Sequence, residues 1–392
     1  MMPADSVTFQ ITRWQRTSLV VGSAAGLLVM VGIFLNREEA LRSYLFAYLY
    51  WLGMGLGSMG ILLLHHTVGG KWGMLIRRMC EAGSRTLPYM AILLIPVLLS
   101  IPTLYPWARP DAVHNANIQA KAAYLNVPFF LVRVLLYFII WTFYAWRLST
   151  WSAEQDRTGD EGLITKMRAV SAPGLVVFVF FTSFAFIDWV MSLEPNWFST
   201  IYGVMFLVGQ VLESFGFMIA LVILFSKWTP FKDYVTPQHL HDLGNLMFAF
   251  MVLWAYLSFS QFLIIWAGNL PDEIPWYLRR LRGGWSWVAL TLVIFHFATP
   301  FLLLLMRKTK RHAERLVKVC LLIIAIRIVD VYWVVKPAFY DQRFSIYWMD
   351  VIAPVAIGGL WLALFFWQLK SAPLLPLRDP RLLGAPRETV SF

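Results

Sequence analysis

Charged side chains are scarce in this chain. Asp, Glu, Lys and Arg make up 14% of its 392 residues, against about 25% in a soluble domain. That scarcity excludes a large water-facing domain. Cysteine is scarcer still, with only Cys80 and Cys320. Neither belongs to a CxxC or CxxCH pattern, so the sequence carries no signal for an iron–sulfur cluster or a c-type haem. No small-residue cleavage site follows the first apolar stretch, which is read as a retained span and not a signal peptide. The longest polar link, residues 149–172, is too short to build a core of its own.

What fills the chain is apolar: 59% of the residues are hydrophobic and 16% aromatic. A bilayer core about 30 Å thick needs roughly 20 apolar helical residues. Ten stretches meet that length, at residues 17–35, 45–66, 87–105, 126–148, 173–192, 199–226, 244–268, 285–306, 316–335 and 347–368. The expected fold class is therefore an all-α polytopic membrane protein with ten transmembrane helices. Residues 1–370 are expected to form one transmembrane domain, and 371–392 an extended Pro- and Arg-rich tail. The span count permits two four-helix bundles (spans 2–5 and 6–9), with spans 1 and 10 peripheral.

The formal net charge of +11 suggests nucleic acid, but its distribution argues for a membrane. With ten spans both termini share a side, and that side holds 21 of the 33 Lys and Arg against nine opposite. Positive residues mark the cytoplasmic side, so both ends are expected there, with the basic excess meeting anionic lipid. Trp72, Leu75, Ile76 and Met79 fall at helical spacing, with Arg77, Arg78 and Glu81 on other faces. They predict a short helix lying in the cytoplasmic interface. Trp14, Trp51, Tyr105, Trp107, Trp197, Trp276, Tyr277, Trp285 and Trp348 sit near span ends, as interfacial belts do.

An ionisable group at bilayer depth costs at least about 2.5–3.5 kcal/mol, so each needs a partner or a function. At the inner end of span 2 lie His65 and His66. Gly53, Gly57, Ile61 and His65 share a stripe at which another helix can approach closely. Asp242, with His239 and His241, starts span 7 at the same end and is expected to share a mouth with them. At mid-depth Glu213 is flanked on its face by Gly209, Gln210 and Gly216, a small and polar stripe that faces protein or water. His296 has similar depth, and Pro300 four residues later removes the backbone bond to its carbonyl. The outer half holds Arg133, Asp188, Gln261, Arg327, Asp330 and Asp350. Arg327 and Asp330 are spaced to pair on one helix face, and Arg133 and Asp188 sit at matching depth on consecutive spans. Together His65, His66 and Asp242 inside, Glu213 and His296 in the middle, and Asp188 and Asp330 outside form a ladder of titratable groups, with Arg133 and Arg327 as structural ion-pair partners. Mutual charge quenching is the competing account of these groups. A bis-histidine b-type haem is disfavoured, because His65 and His66 lie near one surface and His296 near the centre.

The stretches HDLGNLMFAFMVLWAYLSFSQFLIIWAGNLPDEIPWYLRRLRGGW (241–285), LLLHHTVGGKWG (62–73) and FAFIDWVMSLEPNWFSTIYG (184–203) resemble the ActF family. These are the smaller of two NrfD/PsrC-like membrane subunits of alternative complex III. The resemblance covers nearly the whole chain. It implies ten spans in two four-helix bundles in a bacterial inner membrane. It implies a quinol-oxidising respiratory or photosynthetic complex that passes electrons to cytochrome c or to a terminal oxidase. The implied partners are a larger NrfD-like subunit, a periplasmic iron–sulfur protein, c-type haem subunits and small membrane subunits. No cofactor is implied in this chain. Haem c and iron–sulfur clusters belong to the partners, and menaquinone or ubiquinone to the complex. In the larger sibling a His and an Asp near the periplasmic face are associated with quinol; here the outer half offers Asp188 without a histidine, and a proton-conducting role fits the residues better. Two other readings stay open: a proton-coupled secondary transporter with a midplane carboxyl, and a purely structural anchor.

Overall fold

The computed structural model describes residues 7–340, 343–376 and 378–383. Among them every regular element is helical. The first long helices are α1 (Val7–Leu35), α2 (Arg37–Val68) and, after the short α3 (Arg77–Ser84), α4 (Val127–Thr158). Then follow α5 (Gly162–Trp189), α6 (Tyr202–Phe225), α7 (Pro237–Gly268), α8 (Trp285–Leu305), α9 (Ala313–Val335) and α10 (Met349–Leu369). Eight of these, all but α3 and α9, are long and apolar enough to cross a membrane. The protein is a multi-pass membrane protein, and large apolar side chains such as Leu27, Phe34, Val176 and Trp287 point outward, which only a lipid solvent tolerates at this density.

The two other expected spans depart from that pattern for physical reasons. The α9 helix carries Lys318, Arg327 and Asp330 along its length. The 87–104 stretch breaks into three short helices, Leu87–Leu93, Ile95–Leu98 and Ile101–Leu104, each with a proline in its first turn. A proline has no N–H to donate and clashes with the preceding turn. Tyr44 and Tyr48 of α2 donate to the Leu93 and Met90 carbonyls of the broken stretch at 2.6 and 3.1 Å. Inter-helix donors of this kind are what lets irregular backbone persist in an apolar protein.

The α2 and α6 helices form the centre and are buried on nearly all sides, as expected of helices that are apolar all round. They pack on each other, and α5, α7, α9 and α10 pack around them. The outer α1 lies along α10, where Gly22 and Gly359 cross so closely that a Cβ on Gly22 would lie 2.6 Å from the Leu360 amide. Trp14 near the start of α1 packs 5.8 Å from Phe366 and 5.9 Å from Phe225. The start of α1 and the ends of α6 and α10 therefore share one end of the bundle, called here the terminal face; the other end is the distal face.

Three expectations are corrected. Helix α5 starts at Gly162, well before Pro173, which the helix accommodates internally. Helix α7 starts at Pro237, where Thr236 accepts from the His239 amide at 3.2 Å, a side-chain cap that satisfies one of the free N–H groups of the first turn. The short helix after α2 is not interfacial. All eight residues of α3 are buried, Arg77, Arg78 and Glu81 included, because their charges are paired inside the protein. Several expected belt aromatics also face inward: Trp276, at 2% exposure, stacks on Trp197 at 5.1 Å and under the Arg280 guanidinium at 3.7 Å.

Candidate functional site

The site grows from a run of glycines. On α2, a Cβ at Gly53 would lie 2.6 Å from Glu213 Oε1, and one at Gly57 would overlap the Gln210 carbonyl of α6. On α6, a Cβ at Gly209 would overlap the Arg327 guanidinium of α9. Glycine at these three positions lets α2, α6 and α9 close around one carboxylate, as small residues do in membrane bundles. Glu213 is 1% exposed and sits 3.5 Å from Arg327 Nε. Arg327 also hydrogen-bonds Asp330 on its own helix, donates to the Phe206 carbonyl at 3.3 Å and lies over the Phe206 ring.

His296 completes the cluster. It lies in a π-helical turn, Val293–Ala298, just before Pro300. Such turns arise where the regular ladder is interrupted and are frequent at functional sites. Its ring is fully buried, its centre 3.8 Å from the Trp254 ring centre with the two planes tilted by 40°, and its Nδ1 is 3.7 Å from Asp330 Oδ2. The cluster thus holds two carboxylates, one guanidinium and one imidazole, and is neutral only when one proton is bound. Both Glu213 oxygens, both His296 ring nitrogens, Arg327 Nε and both amide atoms of Gln210 make no hydrogen bond to protein. Each unmatched buried group costs about 1–3 kcal/mol. A concentration of them at one depth marks a polar chamber more than a packing device.

The structure redraws the ladder. Arg327 and Asp330 pair as expected, but they belong with Glu213 and His296 in one cluster and not in a separate outer layer. The reason is tertiary: Arg327 reaches across to α6 through the gap at Gly209. Asp188 stands apart. It accepts from Arg133 at 2.8 and 3.0 Å and from the Tyr137 hydroxyl at 2.6 Å, so the expected Arg133–Asp188 pair forms and saturates the carboxylate. Among the described residues Asp188 shares no hydrogen bond or ion pair with the central cluster.

On the terminal face His65 and His66 are buried at 1% and 3% exposure, their rings 5.5 Å apart. Gly73 gives the turn after α2 room to fold against His65, whose Cε1 would lie 2.8 Å from a Cβ there. Both His65 nitrogens and His66 Nε2 lack a protein partner. Asp242 does not join them. It accepts from Gln238 at 2.7 Å and lies 3.6 Å from His241, half-exposed at the start of α7. The first turn of α7 supplies its own partners, so the shared mouth is not formed by direct contact. From Gly53, beside Glu213, to His65 is twelve residues of α2, or about 18 Å. Part of that interval holds the Ser58 and Ser214 hydroxyls, which both donate to the Met54 carbonyl.

One polar centre was not anticipated. Arg77 pairs with Asp379 at 2.9 Å and Glu81 at 3.2 Å and donates to Ser152 at 2.7 Å and Gln155 at 2.9 Å. Arg78 pairs with Glu81 and Asp156. The i,i+3 and i,i+4 spacing of Arg77, Arg78 and Glu81 was visible in sequence; the reach to α4 and to Asp379, far down the chain, was not. Burial by itself would raise the Asp379 carboxyl, but hydrogen bonds from Arg381 and the Arg77 charge hold it below its ordinary range. Residues 371–376 and 378–383 thus fold back on α3 and the terminal face, where an extended tail was expected. Residues 384–392 of that tail lie outside the described residues.

Among the described residues no group of three or more His, Cys, Asp or Glu is placed to hold a metal ion, and Cys80 and Cys320 are both free and buried. No protein-family model matches the chain, and no curated protein is detectably similar to it.

Proposed function

We propose that this protein is a proton-handling membrane subunit of a quinol-oxidising electron-transfer complex. The observation that carries the proton reading is the cluster of Glu213, Arg327, Asp330 and His296. One cation faces two carboxylates at bilayer depth, and Glu213 makes no hydrogen bond to protein. Purely structural charge quenching calls for matched and saturated pairs, as Arg133 and Asp188 are. A chamber that is neutral only with a bound proton suits a group that gains and loses one.

The chain in this reading crosses the membrane ten times, the eight apolar helices joined by α9 and by the proline-broken 87–104 stretch. Two four-helix bundles, spans 2–5 and 6–9, lie side by side, and the terminal face is cytoplasmic. His65 and His66 then stand on the side of proton uptake and the central cluster beyond them. The assignment to alternative complex III, with its larger NrfD-like subunit, iron–sulfur protein and c-haem subunits in a bacterial inner membrane, rests on the sequence resemblance alone. A proton-coupled transporter is the second reading, favoured by interrupted helices. Its inverted or parallel halves call for interruptions in corresponding spans, whereas here span 3 and span 8 are broken, the second of one bundle and the third of the other.

The test uses the complex isolated from native membranes and reconstituted in vesicles. Glu213→Gln lowers protons moved per electron while quinol turnover continues. Unchanged pumping removes Glu213 from the path. Recovery of the native chain without haem and iron–sulfur companions removes the complex and favours the transporter.

A further inference from the structure

Beside the central cluster, between α7, α8 and α9, lies a cavity of about 730 Å³, within the 300–1,000 Å³ range of small-molecule sites. Its walls are aromatic and aliphatic, with Trp254, Trp276 and Trp333 among them. Its mouth is lined by Val252, Tyr256, Phe259 and Val293, all exposed apolar side chains of α7 and α8, so it opens sideways into the lipid. Its floor differs from its walls. Arg327 and Asp330, both under 5% exposed, line it, as does Gln261. The Gln261 amide accepts from Ser199 at 3.1 Å and meets the Tyr277 hydroxyl only at 3.5 Å, which leaves donor capacity facing the space.

Two physical constraints select the occupant. The lateral mouth and apolar walls admit a molecule dissolved in the bilayer and disfavour a water-borne one. The one guanidinium of the floor, Arg327, is already paired with Asp330 and faces Glu213 behind it, so no cation is left over to hold an anionic head such as a fatty-acid carboxylate or a phosphate. Arg327 and Gln261 donate and Asp330 accepts. A neutral head carrying carbonyl or hydroxyl groups satisfies all three.

We propose that this cavity is a binding site for a neutral, lipid-borne amphiphile that enters from the bilayer and rests a carbonyl- or hydroxyl-bearing head on Arg327, Asp330 and Gln261. The inference builds on the reading of the cluster as a polar chamber, because it places that head within reach of the groups proposed to carry protons. Its test is a binding measurement and is independent of pumping.

The experiment uses the full chain in its native complex and a diazirine-bearing monoacylglycerol as photoprobe, with labelled peptides identified by mass spectrometry. Label is expected in residues 252–262 and 289–297. Unlabelled monoolein (a neutral glycerol head) and decylubiquinone (a neutral ring head) compete in separate arms and tell a glycerol-headed from a ring-headed occupant; oleate, which is anionic, competes at least ten-fold less well. Ala289→Trp fills the cavity and abolishes this label. Leu290→Trp, on the outward face of the same helix, leaves it in place and controls for folding. Label spread evenly over the lipid-facing surfaces of α1, α4 and α8 and indifferent to Ala289→Trp overturns the site, as does oleate competing as well as monoolein. If the label behaves as expected while Glu213→Gln pumps normally, the site stands and the proton reading falls; the opposite pair of results sinks the site alone.

Discussion

The decisive residues are the smallest ones. Gly53, Gly57 and Gly209 have no side chain to contribute, yet they set how near Glu213 and Arg327 come to each other. Gly57 packs so tightly on α6 that any Cβ meets the Gln210 backbone carbonyl, which cannot swing aside as a side-chain tip can. Gly57→Ala therefore destabilises the protein by about 1–3 kcal/mol, as overpacking does. Gly26→Ala, with open space around it, is neutral or stabilising by up to about 1 kcal/mol through helix propensity. Thermal unfolding of both variants in detergent measures the contrast, and equal effects would contradict the close approach. The Gly53–Gly57–His65 stripe was legible in sequence because helical periodicity is local. That Arg327 is the cation facing Glu213 was not legible, since the two are far apart in the chain and on different helices.

Among the elements, the irregular ones carry the information. Helix α8 departs from α-geometry at His296, and the 87–104 stretch breaks at each proline; both stay folded because a neighbour or a widened turn takes up the backbone. The segment after α10 is the clearest surprise. Asp379 is buried against Arg77, so this segment closes the terminal face beside the two histidines. The docked Asp379 titrates below its ordinary value; its contribution to docking is therefore fully present above the usual carboxylate range, near pH 4, and is lost as the pH falls through the lowered docked value. Hydrogen exchange over residues 371–376 is expected to be slow at pH 7 and pH 5 once corrected for intrinsic rates, and to rise below pH 4. Asp379→Asn leaves Arg77 without one of its carboxylate partners and speeds tryptic cleavage after Arg378 several-fold at neutral pH. Cleavage at the wild-type rate would show that the contact does not hold the segment.

For the molecule as a whole, the charge distribution and the fold agree on one polarity. Helix α1 starts where α6 and α10 end, so the two ends of the described chain share a face, and that face is the basic one. In a bacterial expression host, a fluorescent protein fused at either terminus is expected to fold and glow in the cytoplasm, and an alkaline phosphatase fused at either terminus to be inactive. Phosphatase activity at one end only would mean an odd number of crossings and would remove either α9 or the 87–104 stretch from the membrane. The assembly also has two kinds of interior: a saturated one at Arg133 and Asp188, where every charge is matched, and an unsaturated one at Glu213 and His296, where it is not.

Read alone, the chain settles its solvent, its helical class and which of its polar groups share a helix face. These depend on hydropathy and helical period, which involve residues within a few turns of one another. It also anticipates both ion pairs, one because its partners share a helix turn and the other because they sit at equal depth on adjacent spans. The grouping of those charges into a neutral pair and an unbalanced cluster depends on contacts between helices remote in sequence. So do the burial of α3, the return of the C-terminal segment and the cavity opening to lipid. Those contacts are set by side-chain shape and by which helix meets each glycine gap; the gaps leave a periodic trace along the chain, but the remote side chains that fill them leave none.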